Sequence, residues 1–137
     1  MEGKYMRKNK KLIVIVSLAI ILILTGVIGF IFSPKNIVSQ KASASLEYLV
    51  YEDEAIKVDE AQVMGILKKY KAQRSLKSFF PYFTDDIKIQ MIIDDNGRSK
   101  HFLLGEFNIW YEASKSHAYV IKDADKLMEE LKLVIEE

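Results

Sequence analysis

The sequence of 137 residues contains no cysteine. This absence excludes disulfide bonds, thiolate metal sites, a cysteine nucleophile and the lipid-carrying cysteine of a lipoprotein. It does not exclude a stable fold, because a domain of about 90 residues can bury a workable core without disulfides. The missing residue type therefore restricts the chemistry of this protein more than its architecture.

Glycine and histidine are also scarce. The six glycines are scattered singly, so no phosphate-binding glycine loop is present, and His101 and His117 are the only histidines. No H-E-x-x-H, G-x-S-x-G or S-x-x-K set of a known hydrolase occurs. The consecutive residues Asp94, Asp95 and Asn96 fit a turn better than a calcium loop, which needs oxygen ligands at alternating positions. The sequence thus predicts no catalytic, cofactor-binding or metal-binding residue and a role that is not enzymatic.

Positive charge is concentrated at the N-terminus. Residues 1–11 carry five basic side chains against Glu2, and the rest of the chain carries 15 basic and 18 acidic residues, a net charge of −3. Nucleic-acid binding requires clustered Lys and Arg, so we predict no nucleic-acid partner. The one basic group beyond the head is interpreted as a solvated helix face. It comprises Lys68, Lys69, Lys71, Arg74 and Lys77.

A long apolar run, residues 12–32, contains no charged residue. As a helix it extends about 32 Å, enough to cross a hydrocarbon core of about 30 Å. The basic head predicts a cytoplasmic N-terminus by the positive-inside rule. The sequence therefore predicts a single-pass cell-membrane protein with a cytoplasmic head (1–11), contact with the lipid bilayer through 12–32, and an extracytoplasmic remainder. A lysine-rich head and one span resemble those of small anchored proteins of bacterial cell surfaces.

Two further features concern the fate and packing of this segment. Ala42-Ser43-Ala44 has the pattern of a signal-peptidase site, so the alternative is a protein secreted after cleavage near Ala44. The apolar run is longer than the core of about 7 to 15 residues typical of a signal peptide, which favours an anchor. Thr25 and Gly29 have the small-xxx-small spacing of a candidate helix-dimer face, although the oligomeric state stays open.

Residues 33–45 are polar and small, which predicts a flexible tether, and residues 46–137 are predicted to form one α+β domain. Its expected order is strand, helix, four-strand meander, helix, with a mostly antiparallel sheet and the helices on one face. Asp59 is the predicted N-cap of a first helix that fades by Ser78, and Asp123 is the predicted N-cap of the last helix. Asn96-Gly97 predicts a hairpin turn, because both residues tolerate a positive φ. The predicted strands of the domain are 46–51, 87–93, 100–107, 108–113 and 118–122.

Aromatic residues supply the candidate partner contacts. The cluster around Pro81 is interpreted either as a segment that seals the core or as an exposed contact patch, and Trp110 lies alone on one face of its strand. The candidate contacts are Phe79, Phe80, Tyr82, Phe83 and Trp110.

These observations predict a non-catalytic protein-interaction or regulatory module whose partner is another membrane or envelope protein. Tethering raises the effective concentration of such a module near its partner, so a weak interface suffices. The alternative is a domain that binds a small ligand or an envelope polymer through the open face of the sheet. A third hypothesis is an unrecognised hydrolase that uses His101 or His117.

Overall fold

The computed structural model describes residues 2–40, 44–78, 87–105, 107–115 and 117–137. Of residues 76–78 it describes the backbone alone. The chain divides into two compact units, the first ending at Ser33 and the second running from Pro34 to Glu137. Each unit has its own organisation.

The first unit is one helix, α1 (Glu2–Ile31), with no buried residue. By length and composition it can cross a membrane, although a signal sequence near the N-terminus meets the same criteria. Leucine, isoleucine and valine dominate its surface, and the Thr25 hydroxyl donates to the Ile21 carbonyl at 2.8 Å. This bond satisfies the Thr25 hydroxyl within the helix itself, which suits an apolar environment.

In its described residues, the second unit is a curled, antiparallel half-barrel of eight strands with two short helices. The strands lie side by side in the order β1-β4-β8-β7-β6-β5-β2-β3. Their bounds are β1 (Lys35–Asn36), β2 (Ala44–Tyr51), β3 (Glu54–Ala55), β4 (Lys71–Ser78), β5 (Ile89–Asp95), β6 (Arg98–Leu104), β7 (Ile109–Glu112) and β8 (His117–Ile121). The helices are α2 (Glu60–Leu67) and α3 (Ala124–Ile135).

The predicted hairpin and meander are confirmed. Strands β5 to β8 pair in sequence order, and Asp95 lies opposite Arg98 across the Asn96-Gly97 turn. Asn96 and Gly97 both have positive φ, 57° and 77°, as the turn requires. The Asp94 carboxylate accepts a hydrogen bond from the Gly97 N–H at 2.7 Å and so stabilises the turn locally.

Both helices of this unit pack on the concave face of the sheet, as expected. Val63 and Leu67 of α2 and Leu127 and Leu131 of α3 are buried in the same cluster as Phe102. The α3 stripe has the spacing of three and four residues that the sequence predicts for one buried helix face. The concave side therefore holds the main core.

The first helix of the domain is shorter than predicted. Asp59 is its N-cap and accepts from the N–H groups of Ala61 and Gln62, but the helix ends at Leu67 and not near Ser78. Residues 71–78 form β4 instead, with Ala72 opposite Ile121 of β8. The edge of β8 offers this segment a ladder of backbone hydrogen bonds, which outweighs its helix-favouring composition.

The segment predicted as a flexible tether is partly folded. Lys35 and Asn36 pair with β4, and Ile37 and Val38 have no exposed surface. The reason is hydrophobic burial: these are the two large apolar residues of an otherwise small and polar stretch, and the half-barrel accommodates both. The folded domain thus begins near Pro34, twelve residues before its predicted start at Leu46.

Candidate binding surface

The convex face of the sheet, opposite both helices, carries apolar side chains from four strands. We call this set the outer surface; it comprises Tyr48, Val50, Ile92, Tyr111 and Val120. Cross-strand register places Tyr48 beside Ile92, and strand alternation directs both away from the main core. Tyr48 and Val120 are 45% and 47% exposed, high values for large side chains within strands.

The centre of the convex face is packed and carries little charge. Leu103, Ile109 and Ala118 form a second buried cluster there, distinct from the main core. His101 stacks on Tyr111 with ring centroids 5.0 Å apart. Burial lowers the pKa of His101 below its usual 6.5, against the opposing charge of Glu47, so the imidazole is neutral at physiological pH. The convex face is thus mostly apolar at its centre, with exposed apolar groups toward two of its sides.

A groove adjoins the outer surface at the side of β2 that faces away from β5. Its volume is about 410 Å³, and it lies between β2 and the segment that leads into α2. Two hydrogen bonds bracket it: the Ile56 N–H donates to the Leu49 carbonyl at 3.0 Å, and the Leu46 N–H donates to Glu60 Oε1 at 3.0 Å. The lining is Leu46, Glu47, Tyr48, Leu49, Ala55, Ile56, Lys57, Val58 and Glu60.

The sequence-predicted contact residues fall in different places. Phe79, Phe80, Tyr82 and Phe83 lie outside the described residues. Trp110 is only 6% exposed and belongs to the main core, so it is not part of an open surface. Its ring stacks on Tyr119 at 4.2 Å, because concave-facing residues of β7 and β8 lie opposite one another.

Thr25 and Gly29, the candidate helix-dimer face, are exposed on α1. A Cβ atom added at Gly29 would meet nothing within 4 Å. The Thr25 hydroxyl is already bonded within the helix, so close approach of a second helix at this spacing would rest on packing. The dimer face stays a prediction.

The two histidines lie on opposite faces of the sheet. His101 belongs to the convex face, whereas His117 contacts Tyr119 on the concave face, with ring centroids 5.5 Å apart. Burial, together with the charges of Arg74 and Lys115, lowers the pKa of His117. Within the described parts of the chain, no three His, Asp or Glu side chains converge as a metal site would require. One site therefore cannot use both histidines.

A buried ion pair joins the sheet to the segment at the start of the domain. Lys100 Nζ lies 2.8 Å from Asp95 Oδ2 and donates to the Ile37 carbonyl at 2.9 Å. The same carboxylate oxygen accepts from the Ser39 N–H. Burial alone would raise the pKa of Asp95, but the hydrogen bonds from Lys100 and Ser39 outweigh it and hold the pKa below its usual 3.8. This arrangement is structural, because these contacts hold one chain segment against another.

Sequence reasoning missed a cavity lined by lysines. Lys69 and Lys71 are solvent-exposed, as expected, but they lie after the end of α2 and on β4, where they line a cavity of about 280 Å³ with Lys122 and Lys126. The only sequence signal was a pair of lysines on each of two remote segments, and their convergence depends on the pairing of β4 with β8.

Comparison with known proteins gives no match to a family model, to a curated protein or to a solved structure. The surfaces above are therefore the basis for a functional assignment.

Proposed function

We propose that this chain is a membrane-anchored, non-catalytic interaction module. Its outer surface, defined above, contacts another protein of the membrane or envelope. The observation that carries the proposal is the apolar convex face, since both helices of the domain cover the opposite side of the sheet. A contact that covers both Tyr48 and Val120 would remove exposed apolar surface from water, which contributes about 25 cal/mol per Å² buried.

In this proposal α1 is a permanent anchor with a cytoplasmic N-terminus. The basic head supports that orientation by the positive-inside rule. The core supports anchoring over cleavage, because a cut near Ala44 would remove Ile37 and Val38, both without exposed surface. It would also remove the Ser39 and Ile37 backbone groups that bond Asp95 and Lys100.

The test uses photocrosslinking from single positions of the full chain in native membranes. A photoreactive residue placed at Tyr48 or Val120 is expected to capture one reproducible membrane or envelope protein, identified by mass spectrometry. The matched control is Leu133, which is 69% exposed on α3 and lies outside the outer surface. Capture of the same protein from all three positions, or no reproducible capture from Tyr48 and Val120, would contradict the proposal.

A second candidate function is the binding of a small ligand in the groove beside β2. Its apolar lining by Leu46, Leu49 and Ile56, with carboxylates at Glu47 and Glu60, favours a ligand that has an apolar body and a polar end. A ligand panel that raises the unfolding temperature of the full chain, and not that of an Ile56→Glu variant, would favour this function. The absence of any shift would count against it.

A further inference from the structure

The cavity beside α3 brings together lysines from two remote parts of the chain. Lys69 lies in the turn after α2, and Lys71 is the first residue of β4. Lys122 lies in the turn that leads into α3, and Lys126 lies in the first turn of that helix. The backbone joins the two segments, because the Lys122 N–H donates to the Lys71 carbonyl at 2.9 Å. The lysines are thus carried by connected, ordered backbone.

The charges of this cavity do not balance. Four lysines face two acidic residues, Asp123 and Glu130, which leaves a formal excess of two positive charges. The Glu130 carboxylate is occupied on both oxygens: Tyr70 donates to Oε1 at 2.7 Å and Lys69 to Oε2 at 3.0 Å. These hydrogen bonds lower the pKa of Glu130, which keeps it ionised and paired with Lys69.

Three lysines are left for an external anion. In the part of the chain that the structure describes, Lys71, Lys122 and Lys126 have no carboxylate within ion-pair distance. Tyr70, whose ring forms part of the lining, is held by Glu130 and is only 6% exposed, so the base of the cavity is rigid.

We propose that this cavity binds a phosphate group. A phosphate presents several oxygens to several donors at once, and lysine ammonium groups bind such anions as point charges with charge-assisted hydrogen bonds. The volume of about 280 Å³ accommodates a phosphate with part of the group that it esterifies. The shared chemistry is a phosphate ester, whether it comes from a soluble compound or from a lipid headgroup.

The test measures binding of inorganic phosphate to the full chain in non-ionic detergent at constant ionic strength. The pocket variant carries Lys71→Gln, Lys122→Gln and Lys126→Gln. The control variant carries Lys57→Gln, Lys88→Gln and Lys132→Gln, which removes the same charge outside the cavity. We expect saturable binding by the unmodified chain and a Kd at least about tenfold higher in the pocket variant, because each lost bond to a charged group weakens binding. The control variant is expected to bind within about twofold of the unmodified chain.

Absence of saturable binding, or an equal loss in both variants, would overturn the proposal. Circular dichroism and unfolding temperature verify that each variant is folded, and a single Lys126→Gln variant, which alters one exposed position on α3, provides a milder second measurement. Competition identifies the source: phosphatidylglycerol added to the detergent micelles displaces phosphate if a lipid headgroup is the ligand, and fails to displace it if the ligand is soluble. Binding here is independent of the crosslinks from Tyr48 and Val120, so the two proposals fail separately.

Discussion

Lys100 lies beneath the segment that enters the domain, with its side chain only 7% exposed and that of Asp95 only 5% exposed. Its ammonium group also lies 4.7 Å from the centroid of the Trp110 ring, a cation–π distance. A charge so deeply placed is tolerated because a carboxylate, a carbonyl and an aromatic face surround it. Removing one partner leaves the other charge buried without compensation.

Replacing Lys100 with Met is therefore expected to lower the free energy of unfolding by about 3–5 kcal/mol. The double variant Lys100→Met with Asp95→Leu should lose less, because no uncompensated charge stays behind. Urea denaturation of the full chain in detergent measures both. The control is Lys69→Gln, which breaks the ion pair between Lys69 and Glu130, whose side chains are 64% and 25% exposed. It should lower the free energy of unfolding by at most about 1 kcal/mol. Equal losses for Lys100→Met and Lys69→Gln would show that burial does not matter here.

The histidines predict a pH dependence of stability. Both have a pKa lowered from 6.5 by burial, so the unfolded chain takes up protons first as the pH falls. The contribution of the two neutral histidines to the free energy of unfolding is complete above about pH 6.5. It is lost as the pH decreases toward their pKa values in the folded state. In a His101→Gln, His117→Gln variant, the urea denaturation midpoint should change less between about pH 7.5 and 5.5 than it does in the unmodified chain. Asp95 acts in a separate window below 3.8, where protonation ends its bond with Lys100.

At the scale of elements, the two helices of the domain begin in different ways. Asp59 caps α2 with its side chain, at 2.9 Å from the Ala61 N–H. Asp123 occupies the equivalent position before α3 but has a left-handed backbone, φ 54°, and makes no side-chain capping bond. The same residue type thus stabilises one helix by a hydrogen bond and starts the other through its tolerance of a positive φ.

Separate replacement of Asp59 and Asp123 should distinguish the two roles. Asp59→Ala is expected to cost about 1 kcal/mol of stability, because it removes the acceptor for the first N–H groups of α2. Asp123→Gly is expected to cost nothing measurable, since glycine adopts a positive φ without strain. Thermal or urea unfolding measures the difference. A larger loss for Asp123→Gly than for Asp59→Ala would contradict this account.

Strand β4 shows where the pattern of a segment misleads. In this segment Ala72 is buried and Lys71 and Arg74 are exposed, but the composition is polar and favours a helix. Pairing with β8 on one side and β1 on the other decides the conformation. The hairpin at Asn96-Gly97 was predictable for the opposite reason, because its turn residues act within four positions of the chain.

At the scale of the molecule, the domain depends on residues that precede its first long strand. Ile37 and Val38 are fully buried, and burying such side chains contributes about 1.5–3 kcal/mol each. The position at which the chain is cut therefore affects the stability of the domain more than the polar composition of residues 33–45 suggests.

A soluble piece starting at Pro34 is expected to be more stable than one starting at Ser45, by about 3–6 kcal/mol from the loss of two buried side chains. Urea denaturation of the two pieces measures the difference. Ile37→Ala in the longer piece is the intermediate case and should cost about 2–5 kcal/mol. Equal stability of the two pieces would show that this segment adds nothing to the core and would weaken the argument against cleavage near Ala44.

The sequence by itself determined the long apolar helix, the hairpin at Asn96-Gly97, the cap at Asp59 and the buried stripe of α3. All of these follow from residues within a few positions of one another, where spacing and local hydrogen bonds dominate the energy. Only the tertiary structure decided that 71–78 would be a strand, that Ile37 and Val38 would enter the core, and that Trp110 would be buried while Tyr48 is exposed. It also brought four lysines from two segments to one cavity. These outcomes depend on which distant segments pair and pack together, and the hydrophobic pattern of a single segment does not contain that information.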